Sequence, residues 1–287
     1  MAMIKLNKML HNFPFNNTLP ETELAVHAVK EAGNAVMKIY KHDFMTTFKK
    51  DNEPLTEADL KSNNIIKKII ASTGYPVLSE ESLDDKKRLD YDKIWIVDPL
   101  DGTSDFVSKS GEFTIMIALV DKHEPILGVI YWPTNDILYV AQKGGGAHKF
   151  VSGVWEKLAI SKRLELSNCR ALGSRHHLSS HEVNFLKQLN VEKFSERGSS
   201  LKVTDICSGT AELYFTMTNK IKQWDTCASN CLITEAGGKM TDMLGNKLEY
   251  NTENIYHKNG ILVTNGMIHD IITNRYAEFS RTMKNSN

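Results

Sequence analysis

The spacing of apolar residues predicts two amphipathic helices near the start of the chain, over Glu21–Lys41 and Thr56–Ser72. Thr56 and Asp59 have the spacing of a capping box at the start of the second helix, so Asp59 has a structural explanation of its own. The inward-facing positions are Ala25, Ala28, Val29, Ala32, Val36 and Ile39 in the first helix and Ile65, Ile66, Ile69 and Ile70 in the second.

Short apolar runs in the next segment predict the strands of an antiparallel sheet in the N-terminal half. Polar turns separate the later runs in the manner of successive hairpins. The glycine run 144–146 lacks the Gly-Lys-Ser/Thr ending of a phosphate-binding loop, which favours a plain hairpin turn there. The predicted strands are Val77–Ser79, Ile94–Val97, Phe113–Val120, Pro125–Trp132 and Ile137–Ala141.

From about Leu158 the pattern changes to strands that alternate with helices, which is typical of a mixed or parallel sheet. We therefore expect two domains, over residues 1–157 and 158–287. Asp225 or Thr226 is a natural N-cap for the last helix of this set. The elements are strands at Arg170–Gly173, Val191–Ser195 and Ala211–Met217 and helices at Ser180–Leu189, Ser199–Gly209 and Cys227–Ala236.

The composition is that of an ordinary globular protein of 287 residues, with 35 Lys plus Arg and 35 Asp plus Glu. This balance gives no overall field for a nucleic-acid polymer or a membrane surface, so an anionic ligand must be recognised locally. Four cysteines without paired spacing favour a reducing cytoplasm, and Cys227 and Cys231 are interpreted as packing residues. The segment 1–15 is interrupted by polar residues and predicts no signal peptide, and no apolar run predicts a membrane span.

The sequence D-P-L-D-G-T, from Asp98 to Thr103, follows the buried-strand pattern I-W-I-V directly. Pro99 predicts an abrupt end of the strand, and Gly102 relaxes the backbone, so that Asp98 and Asp101 can converge. Two nearby carboxylates raise each other's pKa unless a cation lies between them, and hard oxygen donors favour Mg²⁺ or Mn²⁺. An Asx-type turn, in which both side chains bind backbone amides, is the alternative.

Other acids also stand at the ends of predicted elements. Glu80 follows a short strand, Asp225 precedes a helix and Asp59 lies in a first helical turn. Capping alone would also explain Asp225 and Asp59.

D-G-T after a strand also occurs in haloacid-dehalogenase-type phosphatases, whose two acids are separated by one residue. Here the residue two positions before Asp101 is Pro99 and not an acid, so a covalent aspartyl-phosphate mechanism lacks its second acid. The distributed acids instead suit two or three Mg²⁺ ions bridged by a phosphate.

The ordered combination of S-E-E-S at 79–82, D-P-L-D-G-T and W-D-T-C-A at 224–228 resembles the lithium-sensitive, magnesium-dependent inositol monophosphatase superfamily. Within it, G-E-F-T-I-M-I-A-L-V, S-R-H-H and R-G-S-S-L-K are similar to 3'(2'),5'-bisphosphate nucleotidases of the CysQ type. The resemblance covers nearly the whole chain. It implies a layered αβαβα sandwich, with an antiparallel sheet in the N-terminal half and a mixed sheet in the C-terminal half.

The resemblance also implies roles for individual residues. Asp59 and Thr103 would orient and deprotonate a metal-bound water, and the N–H groups of Gly102 and Thr103 would bind the phosphate. Mn²⁺ is a substitute for Mg²⁺, and lithium should inhibit. The implied metal ligands, four of which also border the substrate, are Glu80, Asp98, the carbonyl of Leu100, Asp101 and Asp225.

For the remainder of the substrate, the matching positions are Ser174, His177, Gly198 and Lys202. Lys202 offers a point charge for a second phosphate, a role that Arg175 or Arg197 could also fill. His176 departs from the usual S-R-S-H form of the family.

The implied reaction is hydrolysis of adenosine 3',5'-bisphosphate to AMP and phosphate, as in sulfate assimilation. The alternatives are an inositol monophosphatase, a fructose-1,6-bisphosphatase, or a non-catalytic metal- or nucleotide-binding module. We expect a cytoplasmic monomer or homodimer with a small phosphorylated substrate, and the sequence leaves open a peripheral association with the inner membrane.

Overall fold

The computed structural model describes residues 13–49 and 53–285, and its side chains through residue 282. Two large sheets, of seven and five strands, alternate with three sets of helices in five layers, as the predicted αβαβα sandwich requires. Most of the segment 1–15, where no signal peptide was predicted, lies outside the described residues. Within the described ranges, no helix is both long and apolar enough to cross a membrane.

The outer helical layer consists of α1 (Pro20–Tyr40) and α2 (Glu57–Ile70), which pack on one face of the first sheet. Two short strands, β1 (Thr46–Phe48) and β2 (Pro54–Thr56), form an antiparallel pair between them. The predicted capping box is confirmed, because Thr56 is the N-cap of α2 and Asp59 accepts the Thr56 N–H at 2.7 Å.

The first sheet has seven strands in the order β3-β4-β5-β6-β7-β8-β9. All neighbours are antiparallel except β3 and β4, so the predicted antiparallel sheet gains one parallel edge strand. The glycine run forms the predicted hairpin turn, since Gln142 pairs with Gly146. The strands are β3 (Val77–Ser79), β4 (Lys93–Asp101), β5 (Thr114–Asp121), β6 (Glu124–Trp132), β7 (Ile137–Gln142), β8 (Gly146–Val151) and β9 (Val154–Lys157).

Strand β5 shows why its sequence is apolar without interruption. Ile115, Ile117 and Leu119 pack with α1 on one face of the sheet, whereas Met116 and Ala118 join the cluster on the other face. Successive side chains point to opposite faces of a strand. A sheet covered by helices on both faces therefore needs apolar residues at every position.

The second sheet has five strands in the order β11-β10-β12-β14-β13 and is mixed, as predicted. Helices α4 (Ser180–Leu189) and α7 (His269–Asn285) cover its outer face, where Phe185, Phe215 and Phe279 pack together. The strands are β10 (Arg170–Gly173), β11 (Lys193–Glu196), β12 (Leu213–Thr216), β13 (Lys239–Thr241) and β14 (Ile261–Thr264).

Helices α5 (Leu201–Cys207) and α6 (Gln223–Glu235) lie between the two sheets. Trp224, Cys227 and Cys231 of α6 share one hydrophobic cluster with strands from both sheets, and all four cysteines are buried and free. The interpretation of Cys227 and Cys231 as packing residues is confirmed. The division into domains at residues 157 and 158 stays a prediction.

Candidate active site

The D-P-L-D-G-T segment lies at the end of β4. The predicted abrupt end of the strand is wrong, because β4 continues to Asp101 with a shift of register between Asp98 and Asp101. Pro99 has no N–H to donate to the ladder, which accounts for an irregularity within a strand that otherwise continues. Gly102 then adopts a left-handed φ of 89°, as expected, and α3 (Thr103–Val107) begins.

Asp98, Asp101 and Asp225 converge from two halves of the chain. Burial raises the pKa of Asp98 well above its usual range, and the charges of Glu80, Asp101 and Asp225 raise it further. Burial and the charge of Glu80 raise the pKa of Asp225 in the same way. The four predicted acids therefore form one electrostatic cluster.

Three of these acids also bind backbone amides, Asp101 that of Ser200. Asp98 Oδ1 accepts the N–H of Leu100 at 3.1 Å, so the Asx-type turn exists as well as the acid cluster. Asp225 Oδ2 accepts the N–H of Lys222 at 2.7 Å. The expectation that Asp225 or Thr226 is the N-cap is wrong: α6 begins at Gln223, and Asp225 lies in its first turn. Its carboxylate reaches back to the amide of Lys222, the residue before the helix.

Asp59 and Thr103 meet beside the turn. Thr103 Oγ1 donates to Asp59 Oδ1 at 3.0 Å, while Asp59 Oδ2 accepts the hydroxyl and the N–H of Thr56. Burial raises the pKa of Asp59 although these hydrogen bonds oppose the rise. The pair that the sequence predicts for proton transfer is thus in contact, and Asp59 both caps α2 and binds Thr103.

Glu80 makes an ion pair that was not predicted from the sequence. Lys49 Nζ lies 2.8 Å from Glu80 and 2.5 Å from Glu81. No pattern in the polar segment around Lys49 distinguishes it from other surface lysines. Its ammonium group neutralises part of the acid cluster.

The donor chemistry of the cluster fits a hard divalent cation. Its carboxylates raise one another's pKa in a buried setting, which is the electrostatic condition that a bound cation relieves. As the side chains stand, however, no three His, Cys, Asp or Glu residues in ranges 13–49 and 53–285 form a coordination group. Glu80 is directed to Lys49 and Asp225 to the Lys222 amide, so both would reorient to share an ion.

The segment Gly198–Lys202 of the C-terminal half packs against this turn. Ser200 donates its N–H to Asp101 Oδ2 at 2.5 Å, and the hydroxyls of Ser200 and Thr114 lie 2.7 Å apart. Lys202 is buried, and its charge lowers the pKa of Asp101 against the larger effect of burial. Its Nζ donates to the carbonyl of Ser199 at 2.6 Å.

The remaining substrate positions lie beside this segment. His177 is exposed, and its N–H donates to Ser174 Oγ at 3.2 Å. Although His177 is exposed as a residue, partial desolvation of its ring lowers its pKa, and the charge of Lys202 contributes to this shift. Ser174 and His177 thus lie in one turn after β10.

Arg175 and Arg197 are engaged by acids rather than directed toward open space. Arg175 donates to Asp105 and Glu112 at 2.6 and 2.8 Å, and Arg197 donates to Glu112 and Asp205 at 2.6 and 3.0 Å. Neither Asp105 nor Glu112 was predicted as a site residue. Asp105 lies in α3 and Glu112 in the turn between α3 and β5, and the partners of both are distant in sequence.

The five-layer fold, the buried acids at the ends of β4 and α6, and the adjoining hydroxyl–carboxylate pair define the class of metal-dependent phosphatases. A family model described as the inositol monophosphatase family matches residues 18–281. The chain therefore belongs to this family, and the predicted family is confirmed.

Two relatives and one solved structure that the chain resembles carry the same name. The chain is 36% identical to the 3'(2'),5'-bisphosphate nucleotidase CysQ of Buchnera aphidicola over 232 residues, which cover 77% of this chain and 84% of the relative. It is 33% identical to the protein of the same name from Escherichia coli strain K12 over 246 residues, with coverage of 82% and 96%. The solved structure of CysQ from Bacteroides thetaiotaomicron matches with a TM-score of 0.73 and 32% identity, over 84% of this chain and 96% of that one.

Proposed function

We propose that the protein is a Mg²⁺-dependent 3'(2'),5'-bisphosphate nucleotidase that hydrolyses adenosine 3',5'-bisphosphate to AMP and phosphate. The observation that carries this proposal is the packing of Gly198–Lys202 against the D-P-L-D-G-T turn. Ser200 contacts Asp101 directly, and the buried Lys202 lies close enough to lower the pKa of that acid. The names of the relatives support the same activity.

The cation would be held by the side chains of Glu80, Asp98, Asp101 and Asp225 and by the carbonyl of Leu100. We propose two or three Mg²⁺ ions, with Mn²⁺ as a substitute. When bound, such ions neutralise the acids, bind the anionic phosphate and lower the pKa of water. Thr103 Oγ1 lies 3.2 Å from the Leu100 carbonyl oxygen, so the hydroxyl that donates to Asp59 stands next to this donor set.

Asp59 and Thr103 would move the proton of the attacking water. The Thr103 hydroxyl already donates to Asp59 Oδ1, so its oxygen is free to accept a proton from water while it passes its own proton to the carboxylate. Burial raises the pKa of Asp59, which makes this carboxylate a stronger base than an exposed one. Water attacks the phosphate directly, and no aspartate forms a covalent bond to phosphorus.

The substrate would be oriented by backbone and side-chain donors on both sides of the turn. In this scheme the N–H groups of Gly102 and Thr103 bind the phosphate that is hydrolysed. Ser174, His177, Gly198 and Lys202 contact the nucleotide and its second phosphate. The cytoplasmic location, the place in sulfate assimilation and the choice between monomer and homodimer stay predictions.

The test compares the kcat/KM of the purified protein for adenosine 3',5'-bisphosphate and for inositol 1-phosphate at saturating Mg²⁺. We expect a clear preference for the nucleotide, and a preference for the inositol ester would refute the proposed substrate. In parallel, Asp101→Asn should lose activity together with the Mg²⁺-induced rise in Tm. Phosphate release that persists undiminished in Asp101→Asn would refute the metal-dependent mechanism.

A further inference from the structure

Glu112 is the centre of an ion-pair network beside the candidate active site. Its carboxylate accepts the N–H of Gly198 at 2.7 Å, Arg197 Nη1 at 2.6 Å and Arg175 Nη2 at 2.8 Å. Its side chain is 17% exposed. These hydrogen bonds and cations hold the pKa of Glu112 below its usual range in spite of burial, so the carboxylate is charged at neutral pH.

The network joins the two halves of the chain. Arg175 bridges Glu112 to Asp105 on α3, and Arg197 bridges Glu112 to Asp205 on α5. Two guanidinium groups thus face three carboxylates. The Arg197 guanidinium also lies 4.8 Å from the centre of the Trp132 ring, which fixes its plane.

Both arginines have little capacity left for a substrate phosphate. Each guanidinium already binds two carboxylates, and replacing one of these with a phosphate would leave a partly buried acid without its cation. The network therefore serves to fix the backbone around it. Lys202, which donates to the Ser199 and Arg197 carbonyls, is the basic side chain next to Asp101.

The backbone contacts at Glu112 show what the network fixes. A Cβ atom on Gly198 would lie 2.7 Å from the Glu112 carbonyl oxygen and 2.7 Å from Asp105 Oδ2. A Cβ on Gly102 would lie 3.0 Å from the Cβ of Ser199 and 3.3 Å from the same carbonyl oxygen. The backbone of Glu112 thus packs closely against both Gly198 and Gly102. The segment from Gly198 to Lys202 continues from this contact to Ser200, which binds Asp101.

We infer that Glu112 is a positioning residue that holds Gly198–Lys202 against the D-P-L-D-G-T turn and thereby sets the preference for substrates with a second phosphate. The effect on substrate preference rests on the proposed function. Glu112 itself contacts neither phosphate. It acts by keeping the Gly198 amide and the residues that follow at a fixed distance from the turn.

The variant that tests this inference is Glu112→Gln. It conserves volume, but its NH₂ group must face at least one of three donors, which leaves a donor without an acceptor. Glu112→Asp keeps the carboxylate charge but shortens the side chain by one methylene. It is the conservative variant that should restore part of the function lost in Glu112→Gln. Glu124→Gln is the matched control, because Glu124 also accepts from two cations, Lys143 and Lys247, but stands at the opposite end of β5.

The measurement is the ratio of kcat/KM for adenosine 3',5'-bisphosphate over inositol 1-phosphate, together with amide hydrogen exchange of residues 196–202. In Glu112→Gln we expect the ratio to fall about tenfold or more, mainly through a higher KM for the nucleotide, because each lost charged hydrogen bond is worth about that factor. Exchange should quicken in 196–202. Glu112→Asp should recover part of both effects, and Glu124→Gln should change neither.

The two arms separate failure of the inference from failure of the proposed function. A wild-type protein that prefers inositol 1-phosphate would refute the proposed substrate, while the exchange of 196–202 would still decide whether Glu112 fixes this segment. Unchanged exchange in Glu112→Gln overturns the inference for any substrate. An equal loss of kcat/KM for both substrates also overturns it, because that result describes a general structural defect.

Discussion

Thr103 Oγ1 lies 3.0 Å from Asp59 Oδ1, which joins the first turn of α3 to the first turn of α2. Thr103→Val keeps the shape of the side chain but removes the hydroxyl that relays the proton. We expect kcat to fall by about 10²-fold or more, the usual size of a general-base contribution. Steady-state kinetics at saturating Mg²⁺ would measure this, with Mg²⁺ affinity close to that of the wild type.

Asp59→Asn should lose activity to a similar extent and also weaken the cap of α2 by about 1 kcal/mol. The matched control is Glu182→Gln on α4, because Glu182 forms the same kind of capping box with Ser179, and its hydrogen bonds go to Ser179 and the Met217 amide rather than to the acid cluster. This control should lower the free energy of unfolding and leave kcat unchanged. If the loss of activity in Asp59→Asn is no larger than its loss of stability explains, the proton-transfer role is wrong.

The ion pairs of Lys49 with Glu80 and Glu81 would compete with a cation bound at Glu80. The two acids hold the pKa of Lys49 above its usual range in spite of burial, so its ammonium charge is present at neutral pH. Lys49→Ala should therefore tighten Mg²⁺ binding, by up to about tenfold for a partly buried pair. Isothermal titration calorimetry measures this without substrate. Lys67→Ala, which removes an equal charge that binds Ser82, is the control, and unchanged or weaker Mg²⁺ binding in Lys49→Ala would contradict the prediction.

Two buried histidines predict a loss of stability in acid. Burial lowers the pKa of His257 and of His269 to about 4, and both rings bind threonine hydroxyls. The unfolded chain takes up these protons near pH 6.5, whereas the folded protein does so only near pH 4. Stability is therefore fully present above about pH 6.5 and should decline by on the order of 1–3 kcal/mol per histidine as the pH falls to 4.

Urea unfolding between pH 4 and pH 8 tests this decline. His257→Gln and His269→Gln should each flatten the dependence, although both lower stability at pH 8. His181→Gln, at an exposed position on α4, should leave the dependence unchanged. Equal slopes in all four proteins would show that other groups control acid stability.

Gly128 permits the contact between β6 and α6. A Cβ there would lie 2.5 Å from the carbonyl oxygen of Ala228, so Gly128→Ala must displace α6. We expect a loss of about 1–3 kcal/mol in stability and reduced activity, since Asp225 lies in the first turn of the same helix. Gly153→Ala is the comparison: its φ of 87° strains alanine, but no atom lies within 4 Å, so activity should not change. A fully active Gly128→Ala protein would contradict the coupling.

Local signals predicted the elements whose ends carry their own hydrogen bonds. Helix α4 has the predicted bounds because Ser179 and Glu182 cap its start and Asn190, in a left-handed conformation, follows its end. Helix α6 starts earlier than predicted because Asp225 binds an amide from within the first turn, a role that sequence cannot distinguish from an N-cap. Likewise, Pro99 indicated an end to β4, but pairing with β5 resumes at Asp101 and Thr114.

The candidate site also contains some residues that the sequence predicts and some pairs that it does not. The acids were predictable because each stands at the end of an element or beside a turn, where a side chain is exposed to a cleft. The pairing of Lys49 with Glu80, and of Glu112 with Arg175 and Arg197, was not predictable. These pairs depend on tertiary contacts between segments that show no unusual spacing or composition.

The position of α6 between the two sheets has a consequence for the order of synthesis. The inner face of the first sheet, with Ile96, Met116 and Ile130, is covered by a helix that is complete only at Glu235. On the ribosome, β4 to β7 are made about 80 or more residues before that cover emerges, and Asp98 and Asp101 precede Asp225 by about 120 residues or more. The nascent N-terminal half therefore exposes an apolar face until α6 forms, and the same helix brings Asp225 to the acids at the end of β4.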